Sequence, residues 1–80
     1  MKAVLLRKTA IKGLRQLPAD RRARIEAAIA IYADTGKGDV RPLKGRDGAR
    51  LRVGDYRVIF VETDAEIEIF AIGHRKDVYR

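Results

Sequence analysis

The sequence predicts an α+β domain in which a strand and a two-helix hairpin precede a three-stranded antiparallel meander. Two observations lead to this prediction. Apolar residues recur at helical spacing in the first half of the chain, and from Ala49 onward they recur at every second position. Elements in this order pack as a twisted sheet with both helices on one face. The length of 80 residues fits one domain, which we assign to residues 1–80.

The N-terminal segment predicts a short strand over residues 2–7, followed by the first helix over Thr9–Leu17. Apolar side chains lie on one side of that helix, and Thr9 suits the N-cap position. Gly13 weakens the helix by about 1 kcal/mol relative to Ala. Pro18 ends it, because proline lacks an amide donor.

The second helix, over Ala19–Asp34, is the clearest element. One apolar stripe follows the helical repeat and comprises Ile25, Ala28, Ile29 and Tyr32. The basic residues Arg21, Arg22 and Arg24 lie largely away from the stripe and are interpreted as a solvated surface. Gly36 suits the C-terminal cap, and residues 37–48 are predicted as a loop because they combine glycines, a proline and mixed charges.

The C-terminal half predicts three strands separated by two tight turns. Residues 49–53 alternate polar and apolar side chains, and Gly54-Asp55 is typical of a two-residue hairpin turn. A β-rich run follows over residues 56–63. Asp64-Ala65 forms a second, weaker turn signal before the alternating strand over residues 66–72.

Two-residue loops at both turns predict the register and therefore the two faces of the sheet. The predicted pairs are Val53–Tyr56, Arg52–Arg57, Leu51–Val58, Val61–Glu68, Ile59–Phe70 and Arg57–Ile72. The face toward the helices is predicted to carry Leu51, Val53, Tyr56, Val58, Phe60, Ile67, Ile69 and Ala71. The other face is predicted to carry Arg50, Arg52, Arg57, Ile59, Val61, Glu68, Phe70, Ile72 and His74.

The second face therefore gathers arginines over an apolar floor. Like charges placed opposite each other on a sheet cost a few tenths to about 1 kcal/mol, which favours a role in binding a polyanion. Guanidinium groups bind phosphate oxygens in pairs. An alternative is that Arg50 and Arg52 only solvate an exposed face, with Glu68 neutralising part of their charge.

Composition agrees with an anionic partner and excludes several kinds of site. There are 18 Lys and Arg residues against 11 Asp and Glu residues, which leaves a net charge of +7. Without cysteine and with one histidine, the chain lacks the residues for a disulfide framework, a thiolate zinc site or an imidazole cluster, so we expect no metal and no cofactor. The apolar run over residues 3–6 is too short for a signal peptide or a membrane span, and we expect a cytoplasmic protein without a membrane partner.

Two segments resemble the RelE branch of the RelE/ParE toxin superfamily: Leu51–Phe60, LRVGDYRVIF, and Ile72–Tyr79, IGHRKDVY. The upstream Leu43–Gly45 and the order of elements also fit. The resemblance implies the toxin of a type II toxin–antitoxin module, in a hetero-oligomer with a cognate acidic antitoxin. It implies a ribosome-dependent endoribonuclease that cleaves mRNA without a metal, through attack of the 2′-OH on the adjacent phosphate.

The resemblance also implies roles for individual residues. Arg57 would stabilise the pentacoordinate phosphate, Arg75 the charge on the leaving group, and Tyr79 would stack on a base or orient the 2′-OH. Arginine stays protonated and is a poor general base, so His74 is the candidate base, because imidazole changes protonation near neutral pH. The expected RNA-binding residues are Lys44, Arg50, Arg52 and Lys76.

Two other functions stay open at this point. The ParE branch shares the fold but poisons DNA gyrase, and fold alone does not separate the branches. The chain also fits a catalytically inactive homologue that only binds RNA.

Overall fold

The structure, a computed structural model, describes residues 1–78 and shows a five-stranded sheet with two helices packed on one face. The elements are β1 (Ala3–Leu6), α1 (Lys8–Arg15), α2 (Ala19–Thr35), β2 (Asp39–Pro42), β3 (Ala49–Val53), β4 (Tyr56–Glu62), β5 (Glu66–His74) and α3 (Arg75–Val78). The predicted class and order are confirmed. None of the helices in this part of the chain is long and apolar enough to cross a membrane.

The strands lie in the order β1-β5-β4-β3-β2. The helical hairpin carries the chain from one edge strand, β1, to the opposite edge strand, β2. The chain then returns through three antiparallel pairings, and β5 pairs with β1 in parallel. The ends of β3, β4 and β5 near residues 53–56 and 74 therefore meet at one rim of the sheet.

β2 lies inside the segment that was predicted as a loop, so that part of the prediction is wrong. Val40 pairs with Leu51 and packs against the core, while Asp39, Arg41 and Pro42 are exposed. A strand with one inward apolar side chain has too little periodicity to stand out from a loop. A proline is tolerated there because β2 is an edge strand.

The start of α1 also differs from the prediction. Arg7, not Thr9, holds the N-cap position, and no side chain caps the helix. The Thr9 hydroxyl instead donates a hydrogen bond to the Phe70 carbonyl on β5. Packing explains the glycine at position 13, because a Cβ atom there would collide with the Ile72 carbonyl oxygen. The glycine lets α1 lie directly against β5.

α2 begins after Pro18, as predicted, and buries its apolar stripe on the sheet. Ile25 and Ile29 are buried, and Ala33 extends the stripe by one turn. Gly36 ends the helix in the left-handed conformation, with φ of 76°, and its N–H donates to the Tyr32 carbonyl over 2.9 Å. The core between sheet and helices comprises Ala10, Ile25, Ile29, Ala33, Leu51, Val53, Val58, Phe60, Ile67, Ile69 and Ile72.

The first hairpin has the predicted register. Val53 pairs with Tyr56 and Arg52 with Arg57, across the turn Gly54-Asp55. Gly54 has φ of 60° and Asp55 does not have a positive φ, which is typical of a type II′ turn.

The second hairpin keeps the predicted register only next to its turn. Val61 pairs with Glu68 and Phe60 with Ile69, but Ile59 pairs with Ala71, so Phe70 is an extra residue on β5. The predicted pairs Ile59–Phe70 and Arg57–Ile72 are therefore wrong.

This bulge exchanges the two faces for the rest of β5. Ile72 pairs with Val58 and joins the core, and His74 pairs with Tyr56 on the helix side. Ala71 pairs with Ile59 on the other side. The predicted faces of these three β5 residues are wrong because one added residue inverts every later side chain.

Candidate nucleic-acid interface

Four arginines occupy the sheet face away from α1 and α2, which we call the arginine face. Its arginines are Arg41, Arg50, Arg52 and Arg57. Arg52 lies directly opposite Arg57, and Arg41 directly opposite Arg50. The structure thus adds a second pair of facing arginines to the predicted one. The sequence-based prediction missed Arg41 because it interpreted β2 as a loop. The polar–apolar–polar order of Asp39, Val40 and Arg41 is a weak signal of a strand.

Arg57 is the most enclosed of the four, with 7% of its surface exposed. Its Nη1 donates hydrogen bonds to the Gly54 carbonyl over 3.1 Å and to the Tyr56 carbonyl over 2.9 Å. These bonds hold the guanidinium at the turn between β3 and β4. The turn conformation, set by Gly54, therefore positions the cation.

The apolar floor of the arginine face is formed by Ile59, which is 4% exposed. It lies between Arg50 on β3 and Ala71 on β5. Arg50 is half-buried, whereas Arg52 is exposed. A ligand on this face would meet the arginines, and Ile59 forms a buried apolar layer beneath them.

Carboxylates lie near two edges of the arginine face. Glu68 forms an ion pair with Arg7 over 3.0 Å, and the Arg7 guanidinium also lies 5.4 Å from the centre of the Phe70 ring. Asp39 lies opposite Arg52, with one carboxylate oxygen 3.9 Å from Nε of Arg41. Glu68 therefore pairs with Arg7, which follows β1. The alternative interpretation, in which Glu68 neutralises part of the charge of Arg50 and Arg52, did not include this pair.

Arg75 begins α3 at the rim that holds the Arg57 guanidinium. Its N–H donates to the Asp55 carbonyl over 2.8 Å, and its side chain is exposed. The structure thus brings Arg75 and Arg57 to the same turn. Lys44 lies in the connection before β3, at the far end of that strand, so it is separate from this rim.

His74 lies on the helix side of the sheet and not on the arginine face. Its ring stands edge-on to Tyr56, with ring centroids 5.8 Å apart, and its Nδ1 accepts a hydrogen bond from the Lys76 N–H over 3.2 Å. Consecutive residues of a strand point to opposite faces, which separates Tyr56 and His74 from Arg57. The structure does not bring His74 together with the arginines. Tyr79 lies outside the described residues.

Two clefts flank Tyr56 on the helix side. One, of about 150 Å³, is lined by Arg21, Arg24, Ile25 and residues 53–56. The other, of about 520 Å³, runs between the α1–α2 connection and the end of β5, where His74 lies. Among residues 1–78, no three His, Asp or Glu side chains lie close enough together to hold a metal ion.

Comparison with known proteins gives one family. Residues 4–79 match the family model described as the ParE toxin of the type II toxin–antitoxin system parDE. The chain is 35% identical over 83 residues to Toxin RelE3 of Methanocaldococcus jannaschii, covering 95% of this chain and 93% of the relative.

Solved structures agree with that relationship. The antitoxin–toxin complex RelB–RelE of Methanococcus jannaschii contains a chain 30% identical to this one, with a TM-score of 0.77 and 94% of each chain covered. The archaeal RelE–RelB complex of Pyrococcus horikoshii contains another at 30% identity, with a TM-score of 0.78 and coverage of 96% of this chain and 98% of that chain. YafQ of E. coli, in its H87Q mutant, shares the fold at 13% identity and a TM-score of 0.78, and covers 100% of both chains.

Proposed function

We propose that this chain, which belongs to the RelE/ParE superfamily of type II toxin–antitoxin toxins, is a ribosome-dependent endoribonuclease that cleaves mRNA. The arginine face carries the proposal. It sets Arg52 directly against Arg57, with Arg41 against Arg50 on the neighbouring strands. Like charges facing each other across a sheet attract anions, and RNA supplies phosphates at regular intervals.

The position of Arg57 supports the chemistry that the family resemblance implies. The 2′-OH of one nucleotide attacks the adjacent phosphorus, the bond to the 5′ oxygen of the next nucleotide breaks, and the products are a 2′,3′-cyclic phosphate and a free 5′-OH. In the pentacoordinate transition state, negative charge accumulates on the phosphate oxygens. A guanidinium held by the carbonyls of Gly54 and Tyr56 is already oriented when that charge develops, which is the condition for electrostatic stabilisation.

Arg75 is proposed to act on the same phosphate or on the departing oxygen. Its backbone N–H donates a hydrogen bond to the Asp55 carbonyl. The Arg75 side chain therefore begins at the same turn to which Arg57 is hydrogen-bonded. We assign no proton transfer to His74, because its ring lies against Tyr56 on the other face. Tyr79 keeps the predicted role of stacking on a base or orienting the 2′-OH.

The proposed partner in the inactive state is an acidic antitoxin. Related chains were crystallised in RelB–RelE complexes, and a net charge of +7 favours an acidic partner. We propose that an acidic and apolar antitoxin segment covers Arg57, Ile59 and Phe70. The antitoxin and RNA would then compete for one face.

The test is primer extension on mRNA after induction, with identification of the product ends. Arg57→Lys keeps a cation but loses the planar fork, and Arg75→Ala removes the second cation. We expect each variant to lower the cleavage rate by about 100-fold, which is typical for the loss of one oriented donor. Lys37→Ala, an exposed loop residue, is the control. Arg57→Lys is preferred to Arg57→Ala, because the alanine would also remove both bonds to the turn.

Three outcomes would contradict the proposal. Cleavage by folded Arg57→Lys and Arg75→Ala variants at the parent rate would mean that the reaction site is elsewhere. Binding of RNA by the parent without a 2′,3′-cyclic phosphate product would indicate the inactive homologue. An absence of both binding and cleavage would reject RNA as the substrate.

A second candidate function is favoured by the family model, which describes ParE toxins. In that case the target is DNA gyrase and the arginine face contacts a protein–DNA complex. A supercoiling assay with purified gyrase separates the two. Inhibition of supercoiling without RNA cleavage would reverse the order of the candidates. The RelE relatives at 30–35% identity favour the ribonuclease.

A further inference from the structure

We infer that the rim of the sheet carries a second RNA contact on its helix side, which we call the rim subsite. It consists of the cleft at Arg21 and Arg24 and the groove at His74 and Gln16, joined by Tyr56. The inference rests on the proposed function and extends it. The rim subsite would hold the phosphate and the base of a nucleotide that flanks the scissile phosphate on the arginine face.

The phosphate part is the cleft lined by Arg21 and Arg24. These residues lie one turn apart on α2 and face the turn Gly54-Asp55. The Arg24 guanidinium is about 4 Å from the point where a Cβ atom on Gly54 would stand. α2 therefore presents a cation directly to the turn, and this part of the helix is not merely a solvated surface.

Neighbouring carboxylates leave that cation available. Asp20 forms an ion pair with Arg21 over 3.0 Å, and Asp55 lines the cleft. Within residues 1–78, Arg24 has no carboxylate at ion-pair distance. The Asp20–Arg21 pair is exposed, and exposed pairs are weak, so a phosphate competes with Asp20 at little cost.

The base part is the groove of about 520 Å³ beside His74. Leu17 and Pro18 form an apolar wall, and Gln16 contributes an amide that both donates and accepts hydrogen bonds. Tyr56 and His74 contribute aromatic rings set at 81° to each other. Unpaired RNA bases bind by stacking on aromatic rings and by hydrogen bonds to their edges.

The turn between β3 and β4 connects the rim subsite to the arginine face. Arg57 donates to the Gly54 carbonyl from one side of the sheet, while Arg24 approaches Gly54 from the other. Tyr56 and Arg57 are consecutive residues on opposite faces. An RNA strand that passes from Arg57 over this rim therefore meets Arg24 and then Tyr56. Alternation of cation and aromatic ring fits single-stranded RNA, whereas an acidic peptide would need the cations alone.

The test uses fluorescence anisotropy with a single-stranded 2′-O-methyl RNA, which lacks the attacking 2′-OH and therefore cannot be cleaved by the proposed reaction. Arg24→Gln is expected to lower the slope of log K against log salt by about 0.7, the contribution of one phosphate contact on a single strand. Gln16→Ala and Tyr56→Leu are expected to lower affinity by about tenfold or less without changing that slope. Lys37→Gln, at the opposite end of α2, is the control for loss of one charge.

The possible results separate the rim subsite from the proposed function. If Arg24→Gln keeps the parent slope and affinity while the parent cleaves mRNA, the rim subsite is wrong and the function stands. If Arg24→Gln keeps RNA affinity but loses affinity for a poly-glutamate peptide, the cleft docks an acidic protein and the inference is overturned. If the parent neither binds nor cleaves RNA, both are overturned. Circular dichroism on Tyr56→Leu checks folding, and Gln16→Ala tests the groove independently.

Discussion

At the scale of single residues, Arg57 has two roles, one in stability and one in the proposed site. Its hydrogen bonds to two backbone carbonyls stabilise the turn, and the same bonds fix the direction of its charge. Hydrogen bonds from a charged group are worth about 1.5–3 kcal/mol, so the side chain is held firmly. A stability measurement must therefore accompany any activity measurement on this residue.

Glu62 shows how one carboxylate joins three elements. It accepts hydrogen bonds from Nζ of Lys2 on the chain leading into β1 and from the Tyr32 hydroxyl on α2. These bonds lower the pKa of Glu62 below its ordinary value of 4.5. Burial, and then the neighbouring Glu62, raise the pKa of Tyr32 to about 12.

The shift in Glu62 predicts a pH-dependent contribution to stability. A lowered pKa in the folded state means that the ionised carboxylate stabilises the fold above pH 4.5 and that this contribution is lost as the pH falls further. Glu62→Gln is expected to lower the melting temperature at pH 7, and the difference from the parent is expected to shrink below pH 4.5. Glu66→Gln, an exposed residue on the adjoining strand, is the control. An equal difference at pH 7 and pH 3 would show that ionisation is not the cause.

At the scale of elements, the close approach of α1 to β5 depends on one missing side chain. The backbone of Gly13 lies against the carbonyl of Ile72, and Thr9 bonds to the Phe70 carbonyl on the same strand. Helix propensity and packing therefore make opposite predictions for this position. The bulge at Phe70 adds to the effect, because it turns Ile72 toward α1 and into the core.

Gly13→Ala distinguishes propensity from packing. Propensity alone predicts stabilisation by about 1 kcal/mol. The collision with the Ile72 carbonyl predicts destabilisation by about 1–3 kcal/mol, the usual cost of overpacking, and we expect this second result. Urea denaturation measures the free energy of unfolding. Ala27→Gly, at an exposed position of α2, is the control and is expected to cost about 1 kcal/mol by propensity. A more stable Gly13→Ala variant would show that α1 moves away from β5 at no cost.

At the scale of the whole molecule, the net charge of +7 acts in two ways. It attracts any polyanion over a distance, and its arrangement decides which surface the polyanion contacts. The arginine face and the rim subsite lie on the two sides of the sheet at its rim, at the turn between β3 and β4. A contact surface that wraps around an edge suits a flexible single strand better than a rigid duplex.

A pair of charge reversals separates attraction from contact. Arg41→Glu and Lys37→Glu change the net charge by the same amount, but only Arg41 lies on the arginine face. We expect Arg41→Glu to weaken binding of single-stranded RNA by at least about tenfold and Lys37→Glu to have a much smaller effect, because a phosphate contact and its released counterion are lost only in the first. Anisotropy titrations at two salt concentrations measure both. Equal losses of affinity in the two variants would mean that RNA binding depends only on the net charge.

Local signals carried the sequence predictions that are confirmed. The stripe of α2, the cap at Gly36 and the turn at Gly54-Asp55 each depend on residues within a few positions of one another. The register of the first hairpin follows from its turn, so the pairing of Arg52 with Arg57 was predictable from the sequence. The family resemblance included the turn at Gly54-Asp55, within Leu51–Phe60, but otherwise rested on Leu43–Gly45 and Ile72–Tyr79.

Long-range contacts decided the remainder. β2 is a strand because β3 lies beside it, and Thr9 and Gly13 are explained by β5. The bulge at Phe70 moved His74 to the other face, and the only sequence signal for it is the unbroken apolar run Ile69-Phe70-Ala71-Ile72, which interrupts the alternation of β5. The sequence by itself therefore determined the fold class, the first hairpin and its facing arginines. Only the tertiary structure decided that His74 lies on the helix side of the sheet with Tyr56 and that Arg24 faces the turn at Gly54, because these positions depend on strand pairing and helix packing across the whole molecule and not on neighbouring residues.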